Sequence, residues 1–219
     1  MSRTYQSCCA LCGSAVKPPF EVQAAEAPAD LDLRPGLPAR ATLSQWLQTC
    51  RTCGATAPDL SALPLSAAEV VRSDNYKWLA RHAPHVRPFL RWARLCPADL
   101  RGDVLLQAAW AEDDTGNDAA AAALRLRAIR AWGPPEGVAA TLRQIDVLRR
   151  AAAWEQAGLY ADWLAGEDIA AEDAEILHTQ RHRIATRDSS RVRAEGAAYA
   201  APPPETRWIS RLLRRSASA

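Results

Sequence analysis

The chain has 219 residues, 48% of them hydrophobic and 24% charged, with a formal net charge of +2. That length admits one large or two small domains, and no stretch approaches the ~20 apolar residues of a membrane-spanning helix. The charge is uneven: residues 1–180 sum to −4 and residues 181–219 to +6, which disfavours a broad nucleic-acid footprint on the body and leaves only the end of the chain basic.

The first motif in chain order is Cys9-Ala-Leu-Cys12-Gly13, and it is repeated as Cys50-Arg-Thr-Cys53-Gly54. Two residues between cysteines let one tight turn aim both sulfurs at one point, and two such pairs complete a tetrahedral ligand set for structural zinc. The glycine after each second cysteine suits a backbone position with positive φ, where a side chain costs ~1–2 kcal/mol. Cys9, Cys12, Cys50 and Cys53 are therefore the predicted metal ligands, with Zn²⁺ as the structural cofactor. Cys8 does not give the two-residue spacing to Cys12 and is read as a thiol beside the site.

The knuckles are separated by 37 residues, more than in compact four-cysteine sites. A longer loop adds little closure entropy, about 0.6 kcal/mol per doubling. Residues 20–24 and 43–48 alternate apolar and polar and are predicted as strands, with 27–38 as loop between them. Knuckle, strand, loop, strand and knuckle describe a zinc ribbon over residues 1–58. An iron redox site of the rubredoxin kind also uses two CxxCG knuckles, but it is shielded by a dense aromatic core. This segment offers only Tyr5, Phe20 and Trp46.

From residue 59 helical periodicity takes over. Ser66-Ala-Ala-Glu69 has the form of a capping box, with Leu65 as its staple, and opens a helix predicted to reach His82. Pro84 and Pro88 interrupt the pattern before a short segment at 89–95. Asp99 or Asp103 is a candidate cap for the next helix. Asn117-Asp118 starts another, through Trp132. Pro134-Pro135 suits a helix first turn, and helical pattern then runs from Gly137 to Ala153, where Leu142, Ile145, Leu148 and Arg149 are periodic. Helices over 154–165 and 172–186 follow. The body, 59–195, is thus predicted all-α, built of helix pairs. Leu148 to Ala161 resembles the turn and second helix of a tetratricopeptide repeat, with Trp154, Ala157 and Tyr160 at the packing positions.

Other constellations favour ordinary roles. Cys96 is isolated and reads as a small buried hydrophobe. Glu175, His178 and His182 share a helix face, but Thr179 stands where a HExxH motif needs glutamate, and no second Glu-x-x-His helix exists. Asp113 to Asp118 lacks the ligand pattern of a calcium loop and reads as a turn with a helix cap. Trp78, Trp92, Trp110, Trp132, Trp154 and Trp163 read as core. No phosphate loop, GxSxG motif or Cys–His pair is present, so no enzyme activity is predicted.

The segment 196–219 is predicted to be a flexible basic tail. Its Trp208, Ile209, Leu212 and Leu213 fall on one helical face, fit for an acidic protein or an anionic membrane. The start lacks an apolar leader core, and paired CxxC motifs replace a disulfide framework, so a cytoplasmic location is expected.

With its knuckles, Asp30-Leu-Asp-Leu-Arg-Pro35, Trp46-Leu-Gln-Thr-Cys50, Ala57-Pro-Asp-Leu60 and TPR-like helices, the chain resembles a bacterial family of uncharacterised zinc-knuckle proteins over residues 8–190. Ala10 and Arg51 stand where that family usually has proline. The resemblance implies a metal-bound N-terminal module and a helical repeat domain. The expected function is that of a non-enzymatic zinc-binding adaptor with a protein partner. The rival readings are a nucleic-acid-associated ribbon using Arg40, Arg51 and the tail, and the rubredoxin-like iron site.

Overall fold

The computed structural model of the chain describes residues 7–193. The expected tail at 196–219 and Tyr5 lie outside the described residues. Eight α-helices and a two-stranded antiparallel sheet are present among them: β1 Gln48–Thr49, β2 Thr56–Ala57, α1 Ala67–Arg72, α2 Asp74–Trp78, α3 Arg87–Leu95, α4 Arg101–Asp113, α5 Asp118–Trp132, α6 Val138–Arg150, α7 Trp154–Ala165 and α8 Ala171–Ala185. Gln48 pairs with Ala57 and Thr49 with Thr56.

Helix α4 is the centre of the body. Ten of its thirteen residues are buried, including Val104, Leu105, Leu106, Ala108, Ala109 and Trp110. A helix apolar on nearly every side must be enclosed by others, and α3 and α5 flank it. Ala108 and Ala109 on α4, with Ala121 and Ala128 on α5, are at most 1% exposed. These small side chains let the two helices approach closely. The apolar cluster is continuous from Cys9 and Cys50 through Leu60, Phe89 and α4 to Leu148 and Ala157. A smaller cluster joins Leu142 and Ile145 of α6, Ala161 and Leu164 of α7, and Leu177 of α8.

Several local expectations fail for identifiable reasons. Residues 20–24 form no strand. The segment 43–48 was expected as strand, but Ala39–Gln45 is a 3₁₀ helix. Thr42 Oγ1 donates to the Ala39 carbonyl at 2.7 Å and accepts from Trp46 Nε1 at 3.0 Å. Leu43, Trp46 and Leu47 are all buried, at helical spacing. The helix expected over 66–82 is broken at Ser73, whose ψ of 149° is extended and whose hydroxyl caps α2 by accepting from Tyr76 N. Ser66 makes no side-chain cap, and Leu65 is 77% exposed, so the predicted box and staple do not form. The N-cap position of α4 is Leu100, which makes no side-chain cap, and Asp103 lies inside the first turn. Asp103 instead accepts from Arg143 at 2.7 Å. Pro134 and Pro135 precede α6 rather than opening it. Asn117 does cap α5.

The loop between the knuckles is fastened to the body by charge. Leu33 has φ 66°, and its N–H donates to the Asp30 carbonyl. This sharp turn contains the buried side chains of Asp30, Asp32 and Arg34. Asp32 is fully buried. Its Oδ2 accepts from Trp110 Nε1 at 2.9 Å, Arg150 Nη1 at 2.6 Å and Arg125 Nη2 at 3.5 Å. Burial opposes its ionisation, but the Arg150 and Arg125 guanidiniums outweigh it and hold the carboxyl below the usual carboxylate range. Asp113 accepts from the same two arginines at 2.6 to 2.9 Å.

Removing Asp32 leaves two buried guanidiniums with one fewer anion, so Asp32→Ala is expected to destabilise the chain by about 3–5 kcal/mol. Denaturant unfolding checks this; a change below about 1 kcal/mol, typical of an exposed pair, contradicts the buried geometry.

Candidate metal centre

Each knuckle is built by its own short-range hydrogen bonds, and the two patterns match. Cys9 N donates to the Ser14 carbonyl and Cys50 N to the Ala55 carbonyl, both at 2.8 Å. Gly13 N returns to the Cys9 carbonyl at 2.8 Å and Gly54 N to the Cys50 carbonyl at 2.9 Å. The turn closes because Gly13 and Gly54 adopt φ values of 72° and 76°, the left-handed region expected from sequence.

The four predicted sulfurs converge. The Sγ atoms of Cys9, Cys12, Cys50 and Cys53 all lie within 4.8 Å of one another. Cys9 and Cys53 are 3.8 Å apart across the knuckles, and Cys12 and Cys50 are 3.6 Å apart. A tetrahedron with metal–sulfur bonds of about 2.3 Å has edges of about 3.8 Å. These four cysteines can hold a metal ion.

The surroundings act differently on the sulfurs, lowering one thiol and raising two. Burial raises the Cys9 thiol pKa, while the Leu11 backbone N–H opposes that rise. The hydroxyl and backbone N–H of Ser14 bring Cys12 down to about 6. Burial pushes Cys53 up to about 12, with the backbone of Ala55 opposing. The N–H groups of Ser14 and Ala55 thus occupy equivalent positions in the two knuckles. Ser14 Oγ donates to Thr52 Oγ1 at 2.8 Å, joining the knuckles beside the sulfurs. Ala10 N donates to the Leu60 carbonyl. From the body, Tyr76 O–H and Arg91 Nη1 donate to the Gly54 carbonyl at 3.2 and 3.5 Å. Helices α2 and α3 therefore support the second knuckle from behind.

The other candidates lie elsewhere. Cys8 is outside the sulfur group, with its backbone bridged to Ala15. Cys96 is buried, and that burial pushes its thiol up to about 12. Glu175, His178 and His182 are exposed and form no ligand cluster among the described residues. His85, beside Pro84 and expected to be solvated or paired rather than a metal ligand, has Nε2 3.1 Å from Glu112 Oε2. Trp92 and Trp110 are buried, but Trp78 and Trp163 are 53% and 55% exposed. Arg40 approaches Asp30 and Asp114 at 3.8 and 4.0 Å.

No protein-family model matches the chain, and no curated protein or solved structure is significantly similar to it.

The purified chain is expected to carry one metal ion, measured by elemental analysis. Cys50→Ser should abolish that occupancy, since the apparent binding energy of about 10–16 kcal/mol in four-ligand structural sites depends on the full set. Full occupancy in Cys50→Ser would contradict the ligand assignment.

Proposed function

We propose that the chain is a non-enzymatic, zinc-binding protein-interaction protein. The convergence of four cysteine sulfurs at tetrahedral spacing carries this reading. Four protein ligands leave no open coordination position, which suits a structural rather than a catalytic ion. Zinc also fits a site where Cys12 is exposed, because zinc has no redox state for the protein to shield. The N-terminal segment is then a zinc-ribbon variant in which a 3₁₀ helix stands where a strand was expected. The zinc-knuckle family resemblance points the same way, and reduced thiolate ligands fit a cytoplasmic setting.

The helical body supplies the docking surface. Helices α6 and α7 are read as a TPR-like hairpin, with the fully buried Ala157 where α7 meets the core. On α7, Leu159 and Trp163 are 65% and 55% exposed and four residues apart, so they lie on one face. An exposed tryptophan beside an exposed leucine is the type of anchor that protein interfaces use.

Affinity capture with the full chain from its own cells tests the proposal. The native chain should retain a defined protein partner that the double variant Leu159→Ser, Trp163→Ala loses, with metal content and unfolding midpoint unchanged. Capture of identical proteins by both chains contradicts the surface assignment. Nuclease-sensitive capture would support the nucleic-acid reading instead.

A further inference from the structure

A cavity of about 340 Å³ opens beside the Asp32 node, and its wall carries the guanidiniums of Arg34, Arg40, Arg125, Arg150 and Arg191. We propose that it is a binding site for a phosphate group.

The guanidiniums are not all satisfied by protein. Arg34 is 1% exposed, and its Nη2 reaches Asp114, but its Nη1 and Nε have no hydrogen-bond partner. Nη1 lies 3.9 Å from Asp113 Oδ2, beyond hydrogen-bond distance. A buried guanidinium donor left unmade carries its full desolvation cost, which a ligand oxygen would relieve. At the rim, Arg40 has only ion pairs of 3.8 and 4.0 Å, and Arg191 one of 3.6 Å. All three distances exceed those of hydrogen bonds, so these pairs leave donors available to a ligand. Arg40 and Arg191 side chains are 22% and 36% exposed, which leaves the cavity open to solvent. The hydroxyl-bearing Ser189 and Ser190 complete the wall.

Two carboxylates also line the cavity, Asp113 and Asp118. The oxygens of Asp113 are engaged by Arg125 and Arg150, which offsets its charge. Asp118 selects among anions. Monohydrogen phosphate keeps an O–H at neutral pH, and a phosphate monoester keeps one at or below its second pKa of about 6; each can then donate to a carboxylate. Sulfate carries no proton at neutral pH and meets only repulsion. Planar guanidinium forks match the tetrahedral oxygens of phosphate in bidentate fashion. The wall draws on the 30–35 turn, the 3₁₀ helix, α4, α5, α6 and the segment after α8, so a bound phosphate would link the loop between the knuckles to the helical body.

The test is calorimetric titration of the full chain with inorganic phosphate, with phenyl phosphate and with sulfate, at matched ionic strength and at about pH 6, where both phosphates carry an O–H. Phosphate should bind saturably, one per chain, and more tightly than sulfate. Phenyl phosphate binding more tightly than phosphate would identify a phosphoryl group on a larger molecule as the ligand; the reverse order identifies the free ion. Arg40→Gln and Arg191→Gln should each weaken binding by roughly tenfold, the worth of one charge-assisted hydrogen bond. Their unfolding midpoints without phosphate should equal the native value, and Arg181→Gln, at a distant exposed pair with Asp162, should bind as the native chain does. No saturable binding up to roughly 10 mM, a range weaker than typical specific sites, overturns the proposal. So does equal affinity for sulfate, or undiminished binding in both rim variants.

Discussion

A carboxylate with no solvent contact can stay ionised only if the fold delivers cations to it, and Asp32 imposes that demand on most of this chain. It draws Arg125 from α5, Arg150 from α6 and the indole N–H of Trp110 from α4. Its partners stand 78 to 118 residues away in sequence. Burying an ion pair is a poor route to raw stability, because desolvation offsets most of the attraction. It is a stringent selector of arrangement, since any register that leaves Asp32 or either arginine alone is heavily penalised. The 30–35 turn is thereby located on the body with few alternatives. Asp30 bears part of the cost: burial, and then repulsion from Asp32, push its carboxyl up to about 6.

The sulfur cluster depends on a different kind of convergence. Each knuckle forms from contacts within seven residues, but the two must meet across a 37-residue interval. The protein brings them together with the Ser14–Thr52 hydrogen bond, the Ala10–Leu60 backbone bond and the packing of Cys9 and Cys50 into the same core as Leu60 and Phe89. A metal ion bound between the four sulfurs would offset the charge of their ionised forms, and the N–H donors of Leu11, Ser14 and Ala55 face three of them. In the proposed adaptor, the ion holds the N-terminal segment in shape while α7 presents Leu159 and Trp163 to a partner.

What could be read from the sequence follows the range of the forces involved. The four converging cysteines were legible because CxxCG is a local geometric requirement. Helices α5, α7 and α8 were legible to within about a residue because each is long, periodic and bounded by a cap or turn. Ala39–Gln45 was misread because Leu43, Trp46 and Leu47 form a six-residue window in which helical spacing and loose alternation look alike. The break at Ser73 turned on one hydroxyl choosing Tyr76 N. The Asp–Arg node was not legible, since its partners carry no local pattern. Two signals of buried ion pairs were available: Arg149 occupies a periodic apolar position on α6, and it proves fully buried, paired with Asp146 rather than Asp32. Asp-Leu-Asp-Leu-Arg in a loop was the second signal, because such acidic and basic side chains within a turn can be buried only together.

The measurement that bears most directly on the central claim is X-ray absorption at the metal edge of the purified chain. The account predicts a zinc edge with a first shell of four sulfurs at about 2.3 Å. An iron edge, or a zinc shell containing nitrogen or oxygen in place of any of the four sulfurs, would contradict it.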